Sequence, residues 1–343
     1  MRFCALSCCL FACCIAGCAS GGYQYGQGWQ TGTTDRAKSA DSAEHQVILV
    51  ESGKPRPIID GIGWVLGIPG KLLLWDRRVD NHNVSPATEA ALVEYLEQNE
   101  LQDVCVRVNQ YAPIEEWHRL RENRHVGAGW RYTAGLLTLA GYTVFPGRLF
   151  GGDRYNPYTN SVYVYSDVPA LAMVGGGYAK DIHTRELPGT YAVVNEFPVV
   201  SMWHETIATN DVLSYLQQRE SVEELQAGYK ILHPNYGVQA AGAARYVIGV
   251  GPLIQVGGAV VGHITGRAEG DRVAKLSAAA TTEGTQQASK AKPQSKTLTA
   301  AKPSKKAEET LEEPAESINI DSIDEETPIV PTAAEDAEAA DFE

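Results

Sequence analysis

The sequence predicts an α+β fold, with a small mixed sheet and several helices grouped after it. Three observations carry this reading. Val104-Cys105-Val106-Arg107-Val108 and Ser161-Val162-Tyr163-Val164-Tyr165 are β-branched and aromatic runs of strand length. Helical stretches opened by Pro86 and Pro113 flank the first of these runs. From residue 167 onward the pattern is helical.

Taken in order, Val47-Ile48-Leu49-Val50 is a short buried strand candidate. Residues 58–75 mix Gly, Pro, Trp and Leu and match no single period. Ser85 is a good N-cap and Pro86 suits the first helical position. That helix should run to about Gln98, with Ala91, Leu92, Tyr95 and Leu96 on one face. Tyr132 to Phe145 is apolar but broken by Gly135 and Gly141, and Pro146-Gly147 signals a turn. A helix is expected after Pro169 to about Asp181, and a longer one over Val199–Gln218. Ser221 with Glu224 then forms a capping box for another. The folded domain is expected over 46–266, about 220 residues, enough for one sizeable core.

The first residues read as an export address. Arg2 supplies a positive start, and Phe3 to Ala16 is an apolar run without charge. Such a run suits a signal peptide and is too short to span a bilayer. It ends in Ile15-Ala16-Gly17-Cys18. This resembles the lipobox of bacterial lipoproteins, an aliphatic residue and two small ones before the cysteine that is cut and lipidated. The resemblance implies a 1–17 signal peptide, acyl chains such as palmitate on Cys18, and a lipid bilayer as partner. Ala19 stands where Asp would mark retention in the inner membrane. The expected location is therefore the cell envelope, at the outer membrane if the cell is Gram-negative. Of seven cysteines only Cys105 would remain free, which leaves no intramolecular disulfide. Cys105 reads as a small buried residue rather than a reactive thiol.

Residues 18–45 are rich in Gly, Gln, Ser and Thr and read as a flexible tether. A disordered polar tail is expected over 267–343, acidic from 307. Residues 307–343 hold fourteen Asp or Glu and no Lys or Arg, against a net charge of −13 for the whole chain. The remainder is thus near +1, and the acidity belongs to the tail. No basic face with interleaved aromatics appears, so nucleic acid is not an expected partner.

The 155–181 stretch carries the second resemblance. Tyr155 to Asn160 leads into the 161–165 strand, and a helix with Met173-Val174-Gly175-Gly176-Gly177-Tyr178 follows. This order resembles gluzincin metallopeptidases of the HtpX and CAAX-prenyl-protease kind, in which an edge strand precedes a helix bearing H-E-x-x-H. That spacing sets two imidazoles one turn apart for zinc, beside the glutamate that polarises its water. Here Val174, Gly175 and Tyr178 occupy the His, Glu and His positions. Further on, Glu205 with Ala208 matches the E-x-x-A pattern of the third ligand, with Asn210-Asp211 displaced by one from the polar position. The resemblance implies a pseudopeptidase: no catalytic residue, no metal or cofactor, Glu205 a remnant ligand, and a protein or peptide as the bound partner. An envelope hydrolase built around His204 and Glu205 is the competing class. His204 would point about 100° away from Glu205 on a helix. The three glycines weaken the helix by roughly 1 kcal/mol each against Ala. They predict fraying, a kink, or close approach of another backbone.

Two further features complete the reading. His183, His204 and His233 are not spaced diagnostically for a metal. Residues 246–266 lack Lys, Arg, Asp and Glu, and Gly258, Gly262 and Gly266 recur every fourth position. That repeat allows close helix packing, either in a membrane or in a buried hairpin that closes the domain.

Overall fold

A computed structural model describes residues 23–28, 48–248 and 251–290. Cys18, residues 291–343 and most of the expected tether lie outside these.

The fold is α+β around a four-stranded mixed sheet. Strands β1 (Leu49–Ser52), β2 (Cys105–Val108), β3 (Arg154–Asn156) and β4 (Ser161–Val164) lie in the order β1-β2-β4-β3. β1, β2 and β4 are parallel, while β3 is an antiparallel edge formed by the hairpin into β4. Helix α1 (Pro57–Leu66), α2 (Ile68–Leu74) and α3 (Pro86–Gln98) connect β1 to β2. Next come α4 (Pro113–Glu122), α5 (Ala128–Trp130), a π turn over Arg131–Gly135, α6 (Leu136–Val144) and α7 (Gly147–Phe150). After β4 the chain is helical: α8 (Pro169–His183), α9 (Pro188–Asn195), α10 (Pro198–Gln218), α11 (Val222–Ile248) and α12 (Ile254–Lys290).

Alternation along the strands divides the sheet into two faces. Val106, Val108, Val162 and Val164 join the core that contains Tyr95 and Leu96 of α3 and Met173 of α8. Tyr163 on the opposite face packs with Leu120 of α4 and Leu139 and Tyr142 of α6. That second face also buries an ion pair. Arg107 of β2 is fully enclosed and donates to Glu116 of α4 at 2.5 Å and to Glu51. Glu116 accepts further from Ser161 Oγ at 2.8 Å and Tyr163 Oη at 2.5 Å, so the charge is well satisfied. Cys105 is buried in β2, where burial pushes its thiol up to about 11.

The local signals act where expected. Ser85 Oγ accepts from the Thr88 amide, and Ser221 Oγ from the Glu224 amide. Residues 57–74, which matched no period, form two helices bent by 50°. The break falls at Gly67, where a Cβ would lie 2.7 Å from Lys71 Nζ.

The three glycines of α8 report close approach, and the helix is continuous. A Cβ at Gly175 would lie 2.9 Å from Val162 of the sheet, at Gly176 2.8 Å from the Tyr95 ring of α3, and at Gly177 3.1 Å from Ala208 of α10. Helix α8 is thus enclosed on three sides, and each glycine admits a different neighbour.

Two boundaries read from composition need correction. Helix α12 runs to Lys290, across the end placed at 266, because its Ala- and Gln-rich continuation propagates a helix already begun. Residues 23–28, within the expected tether, pack against the domain. Lys180 Nζ donates to the carbonyls of Gln24 at 2.8 Å and Gln27 at 2.6 Å, and the Gly26 amide donates to Asp211 Oδ1 at 2.9 Å. The Gly repeat packs α12 against α11: Gly258 faces Gly237, Gly262 faces Pro234, and Gly266 faces Tyr229. Among the described residues no single helix is long and apolar enough to cross a membrane. The bent pair α1 and α2 meets that test jointly.

Candidate functional site

Helix α8 sets Val174, Gly175 and Tyr178 along one groove. A cavity of about 180 Å³ lies between these three, Gly152 and Asp153 just before β3, and Asn235 and Gln239 of α11. A second cavity of about 430 Å³ shares Tyr178 and Gln239 with the first and contains Glu205 of α10. The positions matched to the metallopeptidase pattern are therefore neighbours, drawn together by the crossing of α8, α10 and α11. Their side chains offer no two adjacent imidazoles or thiolates. Val174 has no lone pair, Gly175 has no side chain, and a phenol is a poor zinc ligand at neutral pH.

Glu205 is the distinctive member. It is buried, and Asn235 Nδ2 donates to its Oε1 at 3.1 Å. Burial pushes this carboxyl up to about 7. Asp153, at the other end of the groove, is likewise pushed up to about 7 by burial and by the nearby Asp80. Its Oδ1 accepts from the Tyr165 and Ser166 amides at 2.6 and 3.0 Å, while its Oδ2 is buried with no partner among the described residues. Asp80 Oδ1 is also buried and unpartnered, and burial raises that carboxyl too. Both Asp80 and Asp153 line the smaller cavity. The groove thus presents acid oxygens whose hydrogen-bonding capacity is not used within the described residues.

The other polar side chains nearby are committed. His204 Nδ1 lies 2.5 Å from Asp181 Oδ2, and its ring stacks on Tyr178 at 4.5 Å. Asp181 also accepts from Tyr191 Oη at 2.7 Å and from Arg185. Burial alone would raise Asp181, but the His204 hydrogen bond and the Arg185 charge hold it below the usual range. Glu205 faces Asn235 of α11 while His204 faces α8, as their neighbouring helix positions require.

His183, His204 and His233 do not meet. His204 belongs to the Asp181 network, and His233 lies 3.1 Å from Thr265 Oγ1. His183 stacks on His125. Sequence reasoning missed Asp80, Asp153, Asn235 and Gln239. Only Pro234, a proline inside α11, marks that part of the groove.

No protein-family model matches the chain, and no curated protein or solved structure is significantly similar to it.

Proposed function

We propose that this chain is a lipid-anchored envelope protein whose groove, lined by α8, α11 and the residues just before β3, binds an extended polypeptide segment without cutting it. The observation that carries this reading is the pairing of an edge strand with unsatisfied, buried carboxyl oxygens. Among the described residues β3 ends the sheet, and no strand lies along its outer side. An extended peptide can add to such an edge through main-chain hydrogen bonds. Its donors suit the oxygens of Asp80, Asp153 and Glu205. The Val174, Gly175 and Tyr178 positions supply no base and no metal ligands for hydrolysis. The metallopeptidase-like order of elements, strand hairpin then α8 then Glu205 on α10, supports a pseudopeptidase origin for the groove.

The anchor fits the same picture. Five residue steps separate Cys18 from Tyr23, a reach of at most about 18 Å. Docking of residues 23–28 on Lys180 and Asp211 would then hold that part of the domain near the bilayer. Metabolic labelling with palmitate, lost in Cys18→Ala, tests the anchor.

The groove is tested with peptides selected from a random display library on the purified chain. Selected peptides are expected to bind intact and to lose affinity at least about tenfold in Gln239→Trp, which fills the wall shared by both cavities. Affinity unchanged in that variant would refute the groove reading. The Asp181-oriented His204 favours one second reading, an envelope hydrolase. Cleavage of a selected peptide, abolished in His204→Ala, would establish it instead.

A further inference from the structure

At the far end of α8 from the groove positions, three side chains from separate parts of the chain converge. Asp103 precedes β2, His125 follows α4, and His183 is the last residue of α8. One donor atom from each lies within 4.8 Å of the other two. His125 Nε2 is 2.5 Å from Asp103 Oδ2, and the His125 and His183 rings stack at 4.3 Å.

Asn160 orients this trio. Its Nδ2 donates to Asp103 Oδ2 at 2.8 Å and to the Asp103 carbonyl at 3.2 Å. Both partners are acceptors, so the amide orientation is determined, and Oδ1 must face His183 Nε2 at 3.2 Å. His183 therefore carries its proton on Nε2 in the metal-free chain, so that a bound ion would be held by the Nδ1 lone pair. Such an outer-shell contact sets the tautomer of ligating histidines. Tyr155 Oη donates to the same Oδ1 at 2.7 Å, and Arg119 Nη2 donates to the Asp103 carbonyl at 3.0 Å. The donors are thus held from behind while the side chains of Asp103 and His125 stay partly open to solvent. A cavity of about 270 Å³ opens beside them, lined also by Glu122 and Arg124.

We propose that Asp103, His125 and His183 bind a divalent first-row transition ion of the zinc class, with further coordination by water or Glu122. Two imidazoles and one carboxylate match the donor preference of such ions. The ion takes the place of the proton shared by His125 and Asp103. It would join the segment after α4 to the end of α8. This site is separate from the Val174, Tyr178 and Glu205 positions and does not depend on the groove reading.

The test is titration of Zn²⁺ into the metal-free, tag-free full chain by calorimetry, with Co²⁺ absorption as a probe of coordination. One ion per chain is expected. Affinity should fall at least about tenfold in His125→Ala and in Asp103→Asn, and stay unchanged in Glu205→Gln. The first two positions are solvent-accessible, so both variants should fold, which thermal unfolding verifies. No saturable binding by the wild-type chain, or equal affinity in the wild type and both variants, would overturn the proposal.

Discussion

Glu205 and Asp211 lie less than two turns apart on α10, are both buried, and have opposite surroundings. Asp211 sits in a closed polar foot. It accepts from Lys180 Nζ at 2.7 Å, from the Gly26 amide, and from Tyr95 Oη. Lys180 is lowered by burial, an effect Asp211 partly offsets. Glu205 meets one amide, lies on a cavity, and has its carboxyl pushed up to about 7 by burial. A buried charge with every partner supplied fixes a structure. A buried acid with capacity to spare marks a surface where something else can bind.

The largest effect should come from breaking the foot. Lys180→Met leaves Asp211 without its cation and should cost about 3–5 kcal/mol in urea denaturation. Adding Asp211→Leu should recover only part of that loss, because it removes the stranded charge but leaves Tyr95 Oη and the Gly26 amide without their acceptor. If the single variant is neutral, Asp211 is not the anchored member of the pair.

The groove should respond in the other direction. The folded state keeps the Glu205 proton up to about pH 7, whereas the unfolded chain releases it near the ordinary value of 4.5. Stability from this group is therefore present below about pH 4.5 and is lost as pH rises to about 7. Glu205→Gln removes that slope. It should gain about 3 kcal/mol over wild type at pH 8 and almost nothing near pH 4.5, as denaturation at the two pH values would reveal. Asp181 has the reverse sign. Its carboxyl is held low, so its contribution is present at neutral pH and is lost on acidification.

Glycines make the smallest and most local contrast. Gly176→Ala drives a methyl into the Tyr95 ring and should cost about 1–2 kcal/mol despite better helix propensity. Gly141→Ala in α6 meets nothing within 4 Å and should gain up to about 1 kcal/mol. Thermal unfolding of both variants compares them directly.

Much of this architecture was legible in the sequence, because its signals are local. Ser85, Pro86, Pro113, Pro169 and Ser221 mark helix starts through capping and fixed φ. The β-branched runs at 104–108 and 161–165 mark the central strands. β3, with three residues, is too short to carry a period, and α1 and α2 hide theirs at the Gly67 bend. Within the site, Val174, Gly175, Tyr178 and Glu205 were singled out by a resemblance to a motif, and the fold sets them on adjoining cavities. Asp153, Asn235 and Gln239 join them only through helix crossing, which no local pattern encodes. Likewise Asp103 and His125 stand far from His183 in sequence, and their meeting depends on Asn160. The foot escaped notice because Gly- and Gln-rich composition argues for a tether, while Gly26 adopts a positive φ of 65° that lets its amide reach Asp211.

The most direct test of the contrast on α10 is a carbon-13 carboxyl NMR titration of the folded chain, with Glu205 assigned by comparison with Glu205→Gln. A Glu205 midpoint near 7 is expected, while Asp181 stays ionised well into the acid range. A Glu205 midpoint at the ordinary 4.5 would contradict that expectation, and would mean that water or an unrecognised partner already satisfies this carboxylate.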